Sequence, residues 1–512
     1  MSNMAPVPAA TIPNDLLKPL TSTSTNDDYQ PLQRQTIATF LSDDGDDRVK
    51  TADDSTLLVK YNKEFVVNKT AQSYELQYAN VYFLRLAILK PRVEKIAAEA
   101  WNGMKISNHT VIHVPRVLDV QQGHLCWITG TIYMDMPLKP NILDEVTSEF
   151  WSTKPVSDDK FADPARDTVM LEDESGRVQL VFSGGVSSGA GVQQYMSLVT
   201  GCVVAVLGSE TPDGEFEVVD IRVADLAPQT SLQRPLLTGQ QRESNSKKRY
   251  IALVSGVSVS GDEHERYETD MLVEYLTGEL TGSSDTGHAK DIVHVIFAGN
   301  SFASTSTSAG TPDLVTKRSG KQHTQTYTPA PGETLDSILA EIAFSVPVDL
   351  MPGAHDPTNA TVPQQPLHPL LLPRARGVST FRATTNPCWW KFGDVKILGT
   401  GGQMIDDIFK YVEDTDRLKM MENTLRWQHC APTAPDTLWT YPFADRDPFL
   451  LEETPHVYFA GSQPSFQTML IHGSENQVVR LIALPKFAET AEIVLLDVDT
   501  LTCELVKFRV RQ

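Results

Sequence analysis

The feature that most constrains the fold is a set of short, almost continuously apolar runs in the second half of the chain. Strands covered on both faces have this composition, whereas half-exposed strands alternate apolar and polar residues. Between two of the runs, apolar residues recur with the spacing of an amphipathic helix. The runs are YIALVSGVSVS (250–260), IVHVIFAGN (292–300), VPVDLMPG (346–353) and HVYFAGS (456–462), with further strands in STFRAT, CWWKFGDVKILGT, QVVRLIALP, EIVLLDVD and CELVKFRV, and the helical positions are Leu335, Ile338, Leu339, Ile342 and Ala343. Residues 250–512 are therefore predicted to form layered α/β sheets of mixed direction.

Residues 110–227 have the pattern of an all-β domain. Apolar runs of strand length, such as HLCWITGTIYMD and GCVVAVLGSE, are separated by Gly, Asp and Pro turns. About five strands at this spacing suit a small closed barrel, and the acidic turn in LEDESGRVQLVF suits a hairpin between the central strands of an OB-fold. An OB-fold that binds single strands needs a basic groove with exposed aromatic residues. Because this segment is acidic, we expect a structural or protein-binding barrel.

The remaining segments are predicted to connect or flank these two domains. Residues 1–55 are rich in Pro, Ser, Thr and Asp and are expected to form a disordered acidic tail. Residues 56–109 are expected to be helical, with a break at Pro91. Residues 228–249 are interpreted as a linker and residues 301–332 as a mobile loop. The apolar positions of the helical segment are Tyr74, Tyr78, Val81, Ile88, Val93, Ile96, Ala97 and Ala100.

Composition excludes several classes of function. The formal net charge of −21 would repel a nucleic-acid backbone, and the only basic run is Lys247, Lys248 and Arg249. No stretch approaches the ~20 apolar residues that span a bilayer, and the first residues lack the pattern of a secretory signal. The five cysteines are far apart in sequence and are expected to be reduced thiols rather than disulfide or zinc ligands. A soluble, intracellular protein with no cofactor is predicted.

The turn after one apolar run, Gly353-Ala354-His355-Asp356, resembles the Gly-Asn-His-Asp turn of the calcineurin-like phosphoesterases. In that family the Asn binds one of two metal ions, whose role is to activate a water and stabilise phosphoryl oxygens. Here the Asn position is Ala354. The resemblance in strand and turn order allows the other ligand positions to be compared.

The other metal-ligand positions are also substituted. Ser255, Gly256 and Val257 stand where that family has Asp-x-His, and Asn300 stands where it has the Asp that bridges both metals. Ser462 lies where the final Gly-His-x-His would begin. Neutral amides and hydroxyls are weak ligands for hard dications. We therefore predict no metal and no catalytic residues, and regard seven positions as vestiges of the site: Ser255, Val257, Asn300, Ala354, His355, Asp356 and Ser462.

Three other features receive structural interpretations. Asp356, which precedes Pro357, suits a turn whose side chain bonds the backbone, and His355 is interpreted in the same way. The G-x-S-x-G sequence at 185–189 matches a nucleophile elbow, but it lies in a Ser- and Gly-rich stretch with no evident Asp and His partners. It is interpreted as a turn, and His368 is interpreted as a packed loop residue.

A degenerate phosphoesterase behind an OB-fold makes the chain similar to the B-subunits of replicative DNA polymerases. The resemblance is carried by QYANVYFLRL, HVIFAGN, VPVDLMPGAHDPTNATVPQQPLHP, GTGGQMIDDIFKY, APTAPDTLWTYPF and DPFLLEETPHVYFAGSQPSF. It implies a nuclear, non-catalytic scaffold that binds the cysteine-rich C-terminal domain of a catalytic subunit and the N-terminal domain of a third subunit. It also implies work alongside the sliding clamp and a shared role with a translesion polymerase. The interface residues are not assigned. An active phosphodiesterase or nuclease, and an OB-fold that binds single-stranded DNA, remain alternatives.

Overall fold

The computed structural model describes residues 55–67, 78–106, 109–140, 160–182, 197–232, 248–260, 267–280, 286–303 and 329–509. All of these residues belong to one compact unit, residues 47–512. The predicted tail up to residue 54, most of the 228–249 linker, most of the 301–332 loop and the G-x-S-x-G sequence lie outside the described residues.

The segment predicted to be helical begins with a strand instead. Strand β1 pairs antiparallel with residues 390–392 in the second half of the chain. Two helices and two very short strands follow. The elements are β1 (Ser55–Leu57), α1 (Val59–Phe65), α2 (Ala79–Trp101), β2 (Lys105–Ile106) and β3 (His109–Thr110).

Helix α2 runs through Pro91 without a break, so the prediction of a break was wrong. Pro91 cannot donate to the carbonyl of Ala87, but both residues lie on the exposed side of the helix, where water can satisfy that carbonyl. The opposite side has a buried residue at about every fourth position, and most of these residues pack on the barrel, whereas Val81 packs with Val67 and Phe443. Its buried residues are Val81, Arg85, Leu86, Leu89, Val93, Ala97 and Trp101. Of the other predicted positions, Tyr78, Ile88 and Ala100 are exposed, Ile96 is half-buried, and Tyr74 lies outside the described residues.

Residues 112–222 contain the predicted closed barrel. Its strands run in the order β5-β6-β7-β9-β8, and β8 pairs back to β5 to close the ring. The predicted hairpin is confirmed, since β6 and β7 are antiparallel with Glu172 opposite Arg177. A five-stranded closed barrel is the architecture expected of an OB-fold. The strands are β4 (Ile112–His113), β5 (Cys126–Asp135), β6 (Thr168–Glu172), β7 (Arg177–Val181), β8 (Val203–Glu210) and β9 (Phe216–Arg222), with a 3-10 turn at Val117–Asp119.

The second half of the chain is mixed α/β, as predicted. Its strands are β10 (Tyr250–Val254), β11 (Ile292–Ala298), β12 (Val348–Met351), β13 (Phe381–Ala383), β14 (Cys388–Phe392), β15 (Val395–Thr400), β16 (Val457–Gln463), β17 (Gln467–His472), β18 (Val478–Pro485), β19 (Glu492–Asp497) and β20 (Cys503–Lys507). Its helices are α3 (Tyr267–Thr277), α4 (Thr286–Ala289), α5 (Ala330–Ser345), α6 (Gln403–Tyr411), α7 (Arg417–Arg426) and α8 (Phe487–Thr490), with 3-10 turns at Pro369–Leu371 and Ala375–Gly377.

Together with β1, these strands form two six-stranded sheets that pack face to face. Sheet one has the order β13-β12-β11-β10-β19-β20, and sheet two has the order β1-β14-β15-β16-β18-β17. Both contain parallel and antiparallel pairs, which confirms the predicted mixed direction. The buried faces between them include Leu253, Ile296 and Phe459. Helices α3 and α5 cover the other face of sheet one, where Leu335 and Leu339 are fully buried.

One buried carboxylate joins the two sheets. Asp349 on β12 accepts from Trp390 Nε1 on β14 at 2.8 Å. It also pairs with His294 on β11 at 2.9 Å and receives two bonds from Arg382 on β13, at 2.7 and 2.8 Å. Burial alone would raise the pKa of Asp349, but the pairing with His294 and Arg382 lowers it well below its usual range. The single charged residue in the VPVDLM run is thus fully compensated.

The described part of the chain contains no helix that is long and apolar enough to cross a membrane.

All five cysteines are free thiols, and four of them are buried. Burial raises the pKa of the Cys126 thiol to about 11 and that of Cys202 to about 12, so both are protonated at neutral pH.

Candidate functional site

The substituted turns meet at one edge of the two sheets, because the carboxyl ends of parallel strands lie together. We call residues 255–257, 299–301, 353–356 and 461–463 the turn cluster. Ser255, directly after β10, donates through Oγ to the carbonyl of Ala298 at 2.6 Å and accepts from the N–H of Ser462 at 2.8 Å. Ser255 and Ser462 are 2% and 5% exposed. Their hydroxyls hold strand ends together.

Asn300 extends this set of hydrogen bonds to the third turn. Its Nδ2 donates to Ser462 Oγ at 2.9 Å, and its Oδ1 accepts from the N–H of His355 at 3.0 Å. The backbone of Asn300 is left-handed, with φ of 54°, a conformation that Asn tolerates better than most residues. Both ends of the amide side chain therefore bond to protein groups.

Asp356 bonds the backbone of two turns. Its carboxylate oxygens accept from the N–H of Phe302 at 2.9 Å and of Gly353 at 2.7 Å. Burial raises the pKa of Asp356 to about 6, although the backbone N–H groups act in the opposite direction. The side chain is 5% exposed, so its oxygens are directed into the turns.

The other vestigial positions are Val257, Ala354 and His355, of which His355 joins this hydrogen-bonded set through its backbone N–H. Val257 is 5% exposed and packs in the core beneath α3 and α5. Ala354 and His355 lie at the surface of their turn. His368 is exposed rather than packed, and its Nδ1 accepts from the N–H of Leu370 at the start of a 3-10 turn.

Glycines allow the turns to touch backbone to backbone. A Cβ on Gly353 would lie 2.3 Å from the nitrogen of Asn300. A Cβ on Gly299 would lie 3.0 Å from the Cα of Gly353 and 3.1 Å from that of Gly401. The chain therefore occupies the space at the centre of the turn cluster. Across the described ranges, no three His, Cys, Asp or Glu side chains come together as a metal site would require.

Three side-chain amides fix the turn between β15 and α6 beside the turn cluster. Gln364 Oε1 accepts from Asn386 Nδ2 at 2.9 Å and from Gln403 Nε2 at 2.8 Å. Asn386 Oδ1 accepts from the N–H of Gly401 at 2.9 Å. This set gives structural roles to Gln364 of the VPQQP sequence and to Gly401 and Gln403 of the GTGGQ sequence. The three amides lie far apart along the chain, so no sequence pattern indicates that they meet.

A buried arginine, which was not predicted from the sequence, joins helix α2 to the APTAP and DPF sequences. Arg85 is 0% exposed, and its Nε donates to Asp447 at 2.9 Å. Its Nη1 and Nη2 donate to the carbonyls of Pro432 and Ala434, each at 2.7 Å. Gly201, at the start of β8, has φ of 90°, and a Cβ there would lie 2.0 Å from Pro432 O and 2.6 Å from Arg85 Nη1. The barrel, α2 and the second half of the chain thus meet at one point.

His429 completes this buried group. The N–H of Ala431 donates to its Nδ1 at 3.2 Å, so the neutral ring carries its proton on Nε2, which donates to Asp447 at 2.8 Å. Burial, to which the charge of Arg85 adds, lowers the pKa of His429 to about 4. Burial alone would raise the pKa of Asp447, but His429 and Arg85 lower it well below its usual range. The group therefore consists of the cation Arg85, the anion Asp447 and the neutral His429, which donates a hydrogen bond to Asp447.

Two family profiles match the chain. One describes the B-subunit of DNA polymerases alpha and epsilon and matches residues 251–468, which hold most of the two-sheet body. The other is described as "DNA polymerase delta subunit OB-fold domain" and matches residues 77–221, which hold α2 and the barrel. A barrel and a two-sheet body of this kind place the chain among the B-subunits of DNA polymerases.

Whole-chain relatives specify the family further. The chain is 40% identical over 434 residues to the "DNA polymerase delta small subunit" of Arabidopsis thaliana, covering 84% of this chain and 91% of the relative. It is 33% identical over 499 residues to the protein of that name in Saccharomyces cerevisiae, covering 90% and 94%. It is 34% identical over 456 residues to "DNA polymerase delta subunit 2" of Drosophila melanogaster, covering 89% and 98%. The chain belongs to the family of DNA polymerase delta small subunits.

Proposed function

We propose that this chain is the non-catalytic accessory subunit of DNA polymerase delta in DNA replication. It acts as a scaffold in the nucleus, binding the cysteine-rich C-terminal domain of the catalytic subunit and the N-terminal domain of the third subunit. Contact with the sliding clamp is indirect. The names of the relatives, matched over most of both chains, support membership of the polymerase complex. Service to the polymerase zeta catalytic subunit in translesion synthesis is part of the same proposal.

The observation that carries the non-catalytic role is the hydrogen bonding within the turn cluster. A two-metal phosphoesterase needs several ligand atoms directed at a shared, open space. Here the polar side-chain atoms of Ser255, Ser462 and Asn300 form hydrogen bonds with each other and with the backbone. The carboxylate of Asp356 bonds two backbone N–H groups. These contacts support the interpretation of residues 250–512 as an inactive calcineurin-like phosphoesterase domain.

The acidic surface supports protein partners over nucleic acid. With a net charge of −21, the mean field favours basic protein surfaces and accelerates their encounter. The same field opposes a DNA backbone. We therefore assign little direct DNA binding to the barrel.

Co-expression tests the scaffold role. The chain is expressed with a polymerase delta catalytic subunit that has or lacks its cysteine-rich C-terminal domain, and separately with the N-terminal domain of the third subunit. Size-exclusion chromatography then shows which proteins co-elute. We expect co-elution with the third-subunit domain and with the intact catalytic subunit only. Failure of both pairs to co-elute would overturn the proposal.

Hydrolysis and DNA binding are measured on the same purified fractions. Manganese-dependent phosphodiesterase activity is compared between the chain and its His355→Ala and Asp356→Asn variants. Activity from a contaminating enzyme would be the same in all three proteins. Activity that disappears in either variant would favour the phosphodiesterase alternative. Tight single-strand binding by the isolated chain that weakens steeply between 50 and 200 mM salt would favour the DNA-binding alternative.

A further inference from the structure

The edge of sheet two is completed by a segment from the far end of the chain. We call residues 55–67 the arm. Strand β1 pairs antiparallel with β14, from Ser55 opposite Phe392 to Leu57 opposite Trp390. The N–H of Leu58 then donates to the carbonyl of Trp389 at 3.2 Å.

The side chain of Asn62 continues the strand pairing after the backbone of the arm has turned into α1. Its Oδ1 accepts from the N–H of Trp389 at 2.8 Å, and its Nδ2 donates to the carbonyl of Trp389 at 2.8 Å. One amide side chain therefore reproduces both bonds that a neighbouring strand would make to that residue. The N–H of Trp389 depends on the arm for its hydrogen-bond partner.

Apolar side chains of the arm fill the space beside this edge. Leu57 packs against the core between the two sheets. Phe65 is 3% exposed in the core cluster that Leu58 and Tyr61 also contact. The ring of Tyr61 stacks on that of Trp389, with 4.9 Å between centroids. Backbone pairing combined with side chains in pockets is the way in which an added peptide strand is recognised at a sheet edge.

The arm also contacts a carboxylate that links the barrel exit to sheet two. Tyr61 Oη donates to Glu453 at 2.6 Å. Glu453 also accepts from Lys396 Nζ on β15 at 2.5 Å and from the hydroxyl of Thr230, which follows the barrel. Burial would raise the pKa of Glu453, but these bonds outweigh it and lower the pKa to about 2. The arm and the segment after the barrel therefore bond the same carboxylate.

The polar contacts of the arm involve few elements of the fold, and its last residue, Val67, packs with Val81 of α2 and with Phe443. Its hydrogen bonds and ion pairs go to Gln365, to Trp389 and the following residues of β14, to Arg446, and to Glu452 and Glu453. Two of these contacts, Lys60 with Glu452 and Glu64 with Arg446, are solvent-exposed ion pairs, which contribute little to stability. Units with such local contacts open at lower free energy than the whole protein.

We propose that the arm is an exchangeable strand, which leaves and re-enters the edge of β14 while the rest of the fold stays intact. The edge of β14 is then a strand-accepting site whose ligand is the arm itself: an extended segment followed by a Tyr-Asn pair and a Phe three residues further on. When the arm is out, the site presents an unpaired edge carrying Trp389 and Trp390. Natural proteins cover such edges because they pair readily with other chains.

Hydrogen exchange on the full chain tests the opening. Residues 55–67 and the N–H of Trp389 are expected to exchange together, at least tenfold faster than β11 at the centre of sheet one. Asn62→Ala is expected to raise both rates at least tenfold and to leave β11 unchanged, which also shows that the variant is folded. Lys60→Ala is the control: it removes the exposed ion pair with Glu452 and the contact of Lys60 with the outer face of the Tyr61 ring, and it is expected to change the rates by less than twofold. Exchange of the arm as slow as that of β11 in the unaltered chain would overturn the proposal.

A peptide of residues 55–67 tests the exchange. The labelled peptide is expected to bind the full-length Asn62→Ala chain at least tenfold more tightly than the unaltered chain, because the variant's own arm competes less for the site. A peptide that carries Tyr61→Ala and Asn62→Ala is the control and is expected not to bind. Absence of binding to an Asn62→Ala chain whose arm is shown to be open would refute a strand-accepting site.

Discussion

The guanidinium of Arg85 lies 2.9 Å from the carboxylate of Asp447, and both side chains are completely buried. The pair connects helix α2 to a segment more than 300 residues further along the chain. Pairs of this kind add little stability relative to an apolar alternative, but losing one partner leaves the other as an uncompensated buried charge. The arrangement therefore makes the fold sensitive to single substitutions at either residue.

Arg85→Met is expected to lower the free energy of unfolding by about 3–5 kcal/mol, because it leaves Asp447 charged and buried and the carbonyls of Pro432 and Ala434 without donors. Urea unfolding followed by tryptophan fluorescence measures the change. The matched control is Arg116→Ala, which removes an exposed pair with Asp119 and should leave the unfolding midpoint nearly unchanged. Equal midpoints for the two variants would contradict the role given to Arg85.

Stability is expected to fall as the pH decreases from about 6.5 toward 4, with a contribution from His429. The pKa of His429 is lowered to about 4 in the fold, whereas an unfolded histidine titrates near 6.5. Between these values the unfolded state binds more protons, so the stabilisation is fully present above about pH 6.5 and is lost as the pH falls through the window. At pH 5 the loss from this residue is roughly 2 kcal/mol.

A variant isolates this contribution from other groups. Asp356, whose pKa is raised to about 6, acts with the opposite sign, because the native state binds its proton more tightly and stability falls as the pH rises from about 4 to 6. Urea unfolding at pH 7 and pH 5 is therefore compared between the chain and its His429→Gln variant. The variant should be less stable at pH 7 but should lose less on acidification. Parallel losses would show that His429 does not titrate in this window.

Gly353→Ala is expected to destabilise the turn cluster by about 1–3 kcal/mol, since the added Cβ would overlap the backbone of Asn300. Gly377→Ala is the control, because a Cβ at Gly377 has no heavy atom within 4 Å. Thermal unfolding of both variants measures the difference. A melting temperature for Gly353→Ala equal to that of the control would mean that the turns have room to separate.

Removal of divalent metal is expected to leave the stability of the chain unchanged. A native-state site with a dissociation constant of 10 μM would add about 2.7 kcal/mol at 1 mM metal, a shift that urea unfolding resolves. We expect the same midpoint in EDTA and in 1 mM manganese. Stabilisation by manganese that disappears in Asp356→Asn would point to a working metal site in the turn cluster.

The parts of the fold that sequence could predict are those with a clear hydrophobic period. The continuous runs of β10, β11, β12 and β16 and the spacing in helix α5 gave correct element types. Helix α6 carried a readable signal in Met404, Ile405, Ile408 and Tyr411, which are all buried on one side, but it was not predicted. Strand β17 and helices α3 and α7 were also missed, and β17 is a partly exposed edge strand whose weak pattern resembles that of a loop.

Long-range polar contacts were beyond a sequence-based prediction. Arg85 occupies a buried position of helix α2 between Val81 and Leu89, and a charged residue there is normally assigned to the solvent side. The substitutions at Ser255 and Ser462 were visible, but not that their hydroxyls would bond across 207 positions of sequence. Such pairs depend on tertiary geometry and leave no periodic trace.

The absent side chain of Gly201 has a consequence for the mechanics of the molecule. With Pro432 O only 2.0 Å from where a Cβ would stand, the barrel and the two-sheet body are in direct atomic contact at this turn, and Arg85 locks them there. No side chain of residue 201 separates the barrel from the two-sheet body at this contact. Any side chain at position 201 would therefore have to displace the barrel from the two-sheet body.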